Sequence, residues 1–462
     1  MPTGSIRGVA PAYLLPSLFL SYVAVYFCRS DLTVISPILD LSPSALGTLI
    51  SVGTAIYGIG KLLSGATAIK RPWLRIHVCM VMAGVFTICF ASSSEYVLLL
   101  LFWSLNRFAQ SLIWTTLILL VHLHYGRGEV GKAVAILSQS FLVGDAVAKL
   151  VLASMVDSLG WRGVCYVASA VVIFTAAVIR IVVNCQETAV VVGGGGGGGD
   201  GGGLVSTPVG VTGGPAFSPL KDRLRRLLLI PEFYYAAFAN GGLNLVREVF
   251  RDWIPLLLVQ ACAVPTTEAS MLSVVFPVFG ALFTMAAGCL SDKISGKRGG
   301  VIMACMVVAG VSLLMLTLVL TSGTPNGLLV LVLISGSAAL LGPYSLLSAL
   351  SIDVCSVEGR EDLLPLFQGL QDGAGYFFAS ISGALVGNVV EHGGWAVGIG
   401  VLLGFHVFAC VFTGLYARGE GKGGVKVERR VSEFELVISD EVDEAFTIGD
   451  EDEDEDEEDA LV

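Results

Sequence analysis

The chain has 462 residues, of which 54% are hydrophobic and 14% charged, with a mean hydropathy of +0.80; a soluble domain carries about 25% charged residues. These values exclude a soluble globular protein. The net charge of −11 belongs mostly to Asp450–Asp459, a run made wholly of Asp and Glu, so the rest of the chain is close to neutral and no nucleic-acid partner is expected.

Apolar runs of about 20 residues are the length that crosses about 30 Å of hydrocarbon as a helix. Twelve occur. The first six are Ala12–Ile35, Ala45–Ala66, Leu74–Ser92, Tyr96–Val121, Val130–Val156 and Val164–Val183. Six more follow at Phe233–Leu258, Ala269–Leu290, Gly300–Thr321, Gly327–Ser351, Leu363–Val390 and Trp395–Tyr416. Met1–Ala10 carries Arg7 as its only charged side chain, and the first run lacks a cleavage site, so it reads as a retained helix rather than a signal. Between the sets lies a polyglycine tract, Gly193–Gly199 and Gly201–Gly203 around Asp200, followed by a Ser/Thr/Pro/Gly stretch. The fold class expected is an all-α polytopic membrane protein of twelve transmembrane helices in two six-helix bundles. The bundles are 1–188 and 227–418, joined by a Gly-rich cytoplasmic linker at 189–226 and followed by a disordered acidic cytoplasmic tail at 419–462.

Lys and Arg gather in alternate loops: Lys70, Arg71 and Arg75; Arg127 and Lys132; Lys221 to Arg226; Lys293, Lys297 and Arg298; Arg360; Arg418 to Lys426. The other loops hold Asp40, Glu95, Glu268 and Glu391, with Arg162 the exception. Basic loops stay cytoplasmic, which places both termini there, in the plasma membrane or an internal membrane. Gly160-Trp161-Arg162 opens the sixth run and Gly393-Gly394-Trp395 the twelfth, a matched placement that argues for duplicated halves. The ten cysteines are scattered singly and read as packing residues, and no nucleophile, base or metal-ligand spacing appears; neither an enzyme activity nor a cofactor is expected.

Charged residues inside the apolar runs are functional candidates, because a guanidinium in hydrocarbon costs at least about 2.5–3.5 kcal/mol. Arg29 lies on the first helix of the first half, and Arg247 on the first helix of the second. Either could be a snorkelling or ion-paired packing residue. Equivalent positions of a two-fold bundle face each other across the central cavity, where two guanidiniums repel unless an anion bridges them; a phosphate or carboxylate fits both forks. Glu248 follows Arg247, but adjacent helix residues point apart, so it is not expected to neutralise it. Lys61 suits snorkelling or ligand contact equally. Asp145 and Lys149, four apart, suit an ion pair or a coupling site, with Asp372 beside them as a further candidate. Arg107, Gln110 and Trp114 add polar groups on the fourth run.

The loop after the eighth run, Gly288-Cys289-Leu290-Ser291-Asp292-Lys293 to Arg298, resembles the signature loop of the major facilitator superfamily, which implies a gating role for Gly288, Asp292 and Arg298. Tyr26-Phe27-Cys28-Arg29, Ile35-Ser36-Pro37, Tyr57-Gly58-Ile59-Gly60-Lys61, Phe108 to Trp114, Ala239-Asn240 through Arg247 to Asp252-Trp253, and Gly342-Pro343 resemble the organophosphate:inorganic phosphate antiporters of that superfamily. The resemblance implies the major facilitator fold and phosphate binding by Arg29 and Arg247, assisted by Lys61, with Gln110, Trp114 and Asn244 as further substrate-binding candidates. Phe141, Asn244 and Pro277 stand where the family carries a histidine, a tyrosine and an acid. The function implied is exchange of a sugar phosphate or glycerol-3-phosphate type of organophosphate for inorganic phosphate by a monomer in the lipid bilayer. Two rivals stay open: a proton-coupled carboxylate symporter with Asp145 or Asp372 titrating, and a non-transporting membrane sensor.

Overall fold

A computed structural model describes residues 11–66, 71–125, 130–193, 220–294, 298–323, 325–355, 360 and 363–449. The first half contains α1 (Pro11–Ile35), α2 (Pro43–Ala66), α3 (Pro72–Ser92), α4 (Tyr96–His124), α5 (Val130–Ala153) and α6 (Val156–Gly193). The second contains α7 (Leu220–Leu227), α8 (Pro231–Cys262), α9 (Thr266–Leu272), α10 (Val275–Lys293), α11 (Arg298–Thr321), α12 (Gly327–Ser337), α13 (Leu341–Cys355) and α14 (Leu364–Gly449). Proline opens α2, α3 and α8, where its missing N–H would be unpaired anyway.

Among the described residues, ten stretches are long and apolar enough to cross a membrane. One, Leu366–Arg418, has 53 residues, about 80 Å of helix at 1.5 Å per residue, too long for one pass. Gly394, at φ 77° and ψ 174°, turns it back, so α14 holds two passes. Gly160 in α6 has almost the same backbone, φ 64° and ψ 177°. Both glycines stand just before the matched tryptophans, in a left-handed region that a side chain would oppose. α8 misses the ten because charged residues interrupt it, yet its 32 residues reach about 48 Å. With α8 added and α14 divided, the passes number twelve. Large apolar side chains such as Val97, Phe174 and Leu328 remain exposed on the outside, as suits a surface solvated by lipid.

The regular pattern hides two breaks. The eighth pass is split at Ser273–Val274 between α9 and α10. The tenth is split by a 3₁₀ turn, Ala338–Leu340, between α12 and α13, with Pro343 in the first turn of α13, where helices tolerate it. Helical backbone also continues past Arg418 to Gly449, over residues expected to form an unstructured tail. The acidic run 450–462 lies outside the described residues, as does 194–219. The linker read at 189–226 is narrowed from both sides, by the end of α6 and by α7.

The halves meet along α2 and α14. A Cβ on Gly47 would sit 2.2 Å from the Gly383 carbonyl oxygen, and one on Gly387 the same distance from that of Pro43. Ser44 donates its backbone N–H to Glu391 at 2.8 Å, and the Ala384 N–H reaches the Ser51 hydroxyl at 2.7 Å. Gly383→Val is expected to push the helices apart here. Disulfide trapping between cysteines placed at Pro43 and Gly387, in a chain otherwise stripped of cysteine, should then fall about tenfold, because sulfurs bridge only Cα atoms closer than about 7 Å.

Candidate functional site

The first helices of the two halves, α1 and α8, bring the charges inward. Arg29 is buried, with its guanidinium 5.2 Å from the Tyr26 ring centre and 4.6 Å from that of Tyr57. Arg107 of α4 lies 4.9 Å from the same Tyr57 ring and 5.8 Å from Trp103. Cations over ring faces gain about 2 kcal/mol when desolvated, which offsets part of the burial cost. Among the described residues no carboxylate pairs with either arginine. Nε of Arg29 and all three guanidinium nitrogens of Arg107 lack hydrogen-bond acceptors.

α8 differs. Arg247 donates to Glu248 Oε1 at 2.5 Å and stacks 4.2 Å over Tyr344. Arg251, one turn on, lies 2.5 Å from Glu248 Oε2 and grips Asp252 with Nε and Nη2, each at 2.9 Å. Asp252 also accepts from Thr33 of the other half at 3.3 Å. The expectation that Glu248 leaves Arg247 unneutralised is therefore corrected. Adjacent Cβ vectors do diverge, but both side chains are long enough to curl together, and Arg251 pulls the carboxylate between the two guanidiniums.

Lys61 pairs with Asp372 across the halves at 3.0 Å, and its Nζ lies 5.1 Å from the Tyr376 ring centre. The two residues came from separate groups in the sequence and form one contact. Lys149, fully buried, pairs with Asp145 at 3.0 Å and donates to the Arg251 carbonyl at 3.2 Å. Asp145 also accepts from Ser30 at 2.6 Å.

A cavity of about 30 Å³ lies between the halves, lined by Tyr26, Phe141, Leu142, Asp145, Arg247, Arg251, Phe276, Pro277 and Leu341. Its lining mixes the charged Asp145, Arg247 and Arg251 with apolar side chains, Phe141 and Pro277 among them. Of the sequence candidates it brings together Arg247 and Asp145; the others stand outside its lining. Gln110 donates to the Cys28 carbonyl at 2.8 Å and to Asn106 at 2.5 Å, tying α4 to α1. Trp114 packs its ring 5.0 Å from Tyr22. Asn244 donates to the backbone and side-chain oxygens of Asn240, both at 3.0 Å. Gly288 is half-buried, Asp292 lies in the last turn of α10 and Arg298 opens α11, whereas 295–297 of that loop fall outside the described residues. Arg251 escaped the sequence reading; its signal was the i, i+3 spacing from Glu248 on a helix already holding Arg247.

The model of the Major Facilitator Superfamily matches residues 14–261. A probable hexose phosphate transport protein of Chlamydia trachomatis is 26% identical over 300 residues, 61% of this chain and 65% of the relative, so the chain spans just under two thirds of that relative's length. The glucose-6-phosphate exchanger SLC37A2 of Danio rerio is 23% identical over 402 residues, 82% of this chain and 80% of the relative. The membrane sensor protein UhpC of Salmonella typhimurium is 24% identical over 412 residues, 88% of this chain and 89% of the relative.

Proposed function

The chain belongs to the Major Facilitator Superfamily, and from that premise we propose that it exchanges an organophosphate of the sugar phosphate or glycerol phosphate type for inorganic phosphate. It is a transporter, not an enzyme, and works by alternating access in a membrane with both termini cytoplasmic. The phosphoryl group is held between Arg29 and Arg247. The observation that carries this reading is Arg29: a buried guanidinium with no carboxylate partner among the described residues, matched by Arg247 on the equivalent helix. A planar fork of donors suits phosphate, which carries about −1.5 to −2 at neutral pH. The relatives named as a hexose phosphate transport protein and a glucose-6-phosphate exchanger support the same solute class. The basic loops support the orientation.

The carboxylate symporter needs Asp145 or Asp372 free to take a proton. Each is held by a lysine at 3.0 Å, which favours exchange. The test is counterflow: proteoliposomes loaded with labelled phosphate, with phosphate esters or carboxylates added outside. Efflux triggered by a phosphate ester and indifferent to a proton gradient is expected. Efflux indifferent to every phosphate compound sinks the reading. The likeness to UhpC favours a second reading, a sensor. It predicts phosphate-ester binding by the purified chain with no counterflow at all.

A further inference from the structure

We infer that Glu248 is a built-in counter-ion for Arg247 that lets the unloaded carrier reorient, so that this chain moves phosphate in net fashion as well as by exchange. The inference rests on the exchange reading and goes beyond it. In a carrier whose two facing guanidiniums are unscreened, the unloaded form resists closure because like charges must approach; only the loaded form reorients, and transport is locked into exchange. The pairing in this chain removes half of that opposition. On α8, Arg247 and Arg251 are matched in number by Glu248 and Asp252, and all four are joined by contacts of 2.5 to 2.9 Å. Lys149 is matched by Asp145 and Lys61 by Asp372. The second half thus presents a neutral face to Arg107 and to Arg29, and the nearest acid to Arg29 in sequence is the buried Asp31.

Glu248 contacts two arginines at once, which makes the pairing reversible. One carboxylate oxygen meets Arg247 and the other meets Arg251. An arriving phosphate takes the place of the first oxygen on Arg247, while the second stays on Arg251. No charge is left stranded in either state, because Arg251 also keeps Asp252. Glu248 therefore acts through Arg247 and need not touch the solute. Without its charge, two bare guanidiniums must approach on closure; if they came to about 8 Å in an effective dielectric of about 20, unloaded closure would slow about thirtyfold.

The test uses the full chain in proteoliposomes loaded with labelled inorganic phosphate, with equal potassium on both sides and valinomycin present to collapse the potential that net anion movement builds. Efflux is followed into phosphate-free medium and into medium containing phosphate. For the parent chain, net efflux is expected within about tenfold of exchange, and Glu248→Gln should lower the ratio of net efflux to exchange about thirtyfold. The ratio cancels differences in the amount of active protein. Fast exchange by the parent chain with no net efflux overturns the inference and leaves the exchange reading intact, and this measurement needs no variant. An unchanged ratio in Glu248→Gln overturns the role of Glu248. Absence of both exchange and net efflux in the parent chain is a separate outcome: the exchange reading fails, and the inference falls with it.

Discussion

Alanine at Arg29 is expected to lower phosphate exchange at least about a hundredfold while leaving the amount of protein in the membrane unchanged. Two charge-assisted hydrogen bonds from a fork contribute about 1.5–3 kcal/mol each, and every 1.4 kcal/mol is tenfold. Folding should survive because no described carboxylate loses its partner: Arg29 rests on the Tyr26 and Tyr57 rings and forms no ion pair among the described residues. Arg247→Ala should be worse. It strips Glu248 of one guanidinium and turns the neutral α8 group into a net negative one facing the arriving anion. The measurement is the initial rate of exchange, divided by the quantity of reconstituted protein, in Arg29→Ala, Arg29→Lys and Arg247→Ala. Lysine keeps the charge but not the fork, so its rate should fall between. Near-normal exchange in Arg29→Ala would remove the clamp.

Lys149→Met should unfold the protein more easily than any surface change. The lysine has 0% exposure and the aspartate 5%. Removing the cation leaves the Asp145 carboxylate buried with the Ser30 hydroxyl as its remaining donor. Breaking a buried pair from one side costs about 3–5 kcal/mol, which lowers the melting temperature in detergent by about 6–20 °C at the slope of a mid-sized domain. Replacing both partners, as in Asp145→Leu with Lys149→Met, should recover most of the loss, since an apolar pair of similar volume is often no less stable. Lys221→Ala, at an exposed site, serves as the control with no shift. A single Lys149→Met variant that melts with the parent chain would show that the pair does not hold the fold together.

Hydropathy alone made the spans legible, because about 20 apolar residues in water have no other stable use. Two interior arginines, one per half, were legible for the complementary reason: a charge there stands out. What escaped was pairing. Lys61 and Asp372 are 311 positions apart, and only the packing of α2 on α14 joins them. Glu248 was discounted by a rule about Cβ directions that holds for short side chains and fails for a glutamate beside an arginine. The broken eighth and tenth passes were invisible because Ser273, Val274 and Ala338 to Leu340 are as apolar or small as the residues around them. Gln110 and Trp114 drew notice as polar groups in an apolar run, yet their donors and rings are taken up between helices of one half, a distinction that needs coordinates.

The pairs on α8 bear on how the helix enters the membrane during synthesis. Four charges near the middle of one segment, at about 2.5–3.5 kcal/mol each on insertion scales, would strand a helix that had to wait for a neighbour from the other half. Arg247 to Glu248, Glu248 to Arg251 and Arg251 to Asp252 all close within one turn. They form as soon as the segment coils, before α9 has been made. The helix emerging from the ribosome therefore carries its own neutralisation.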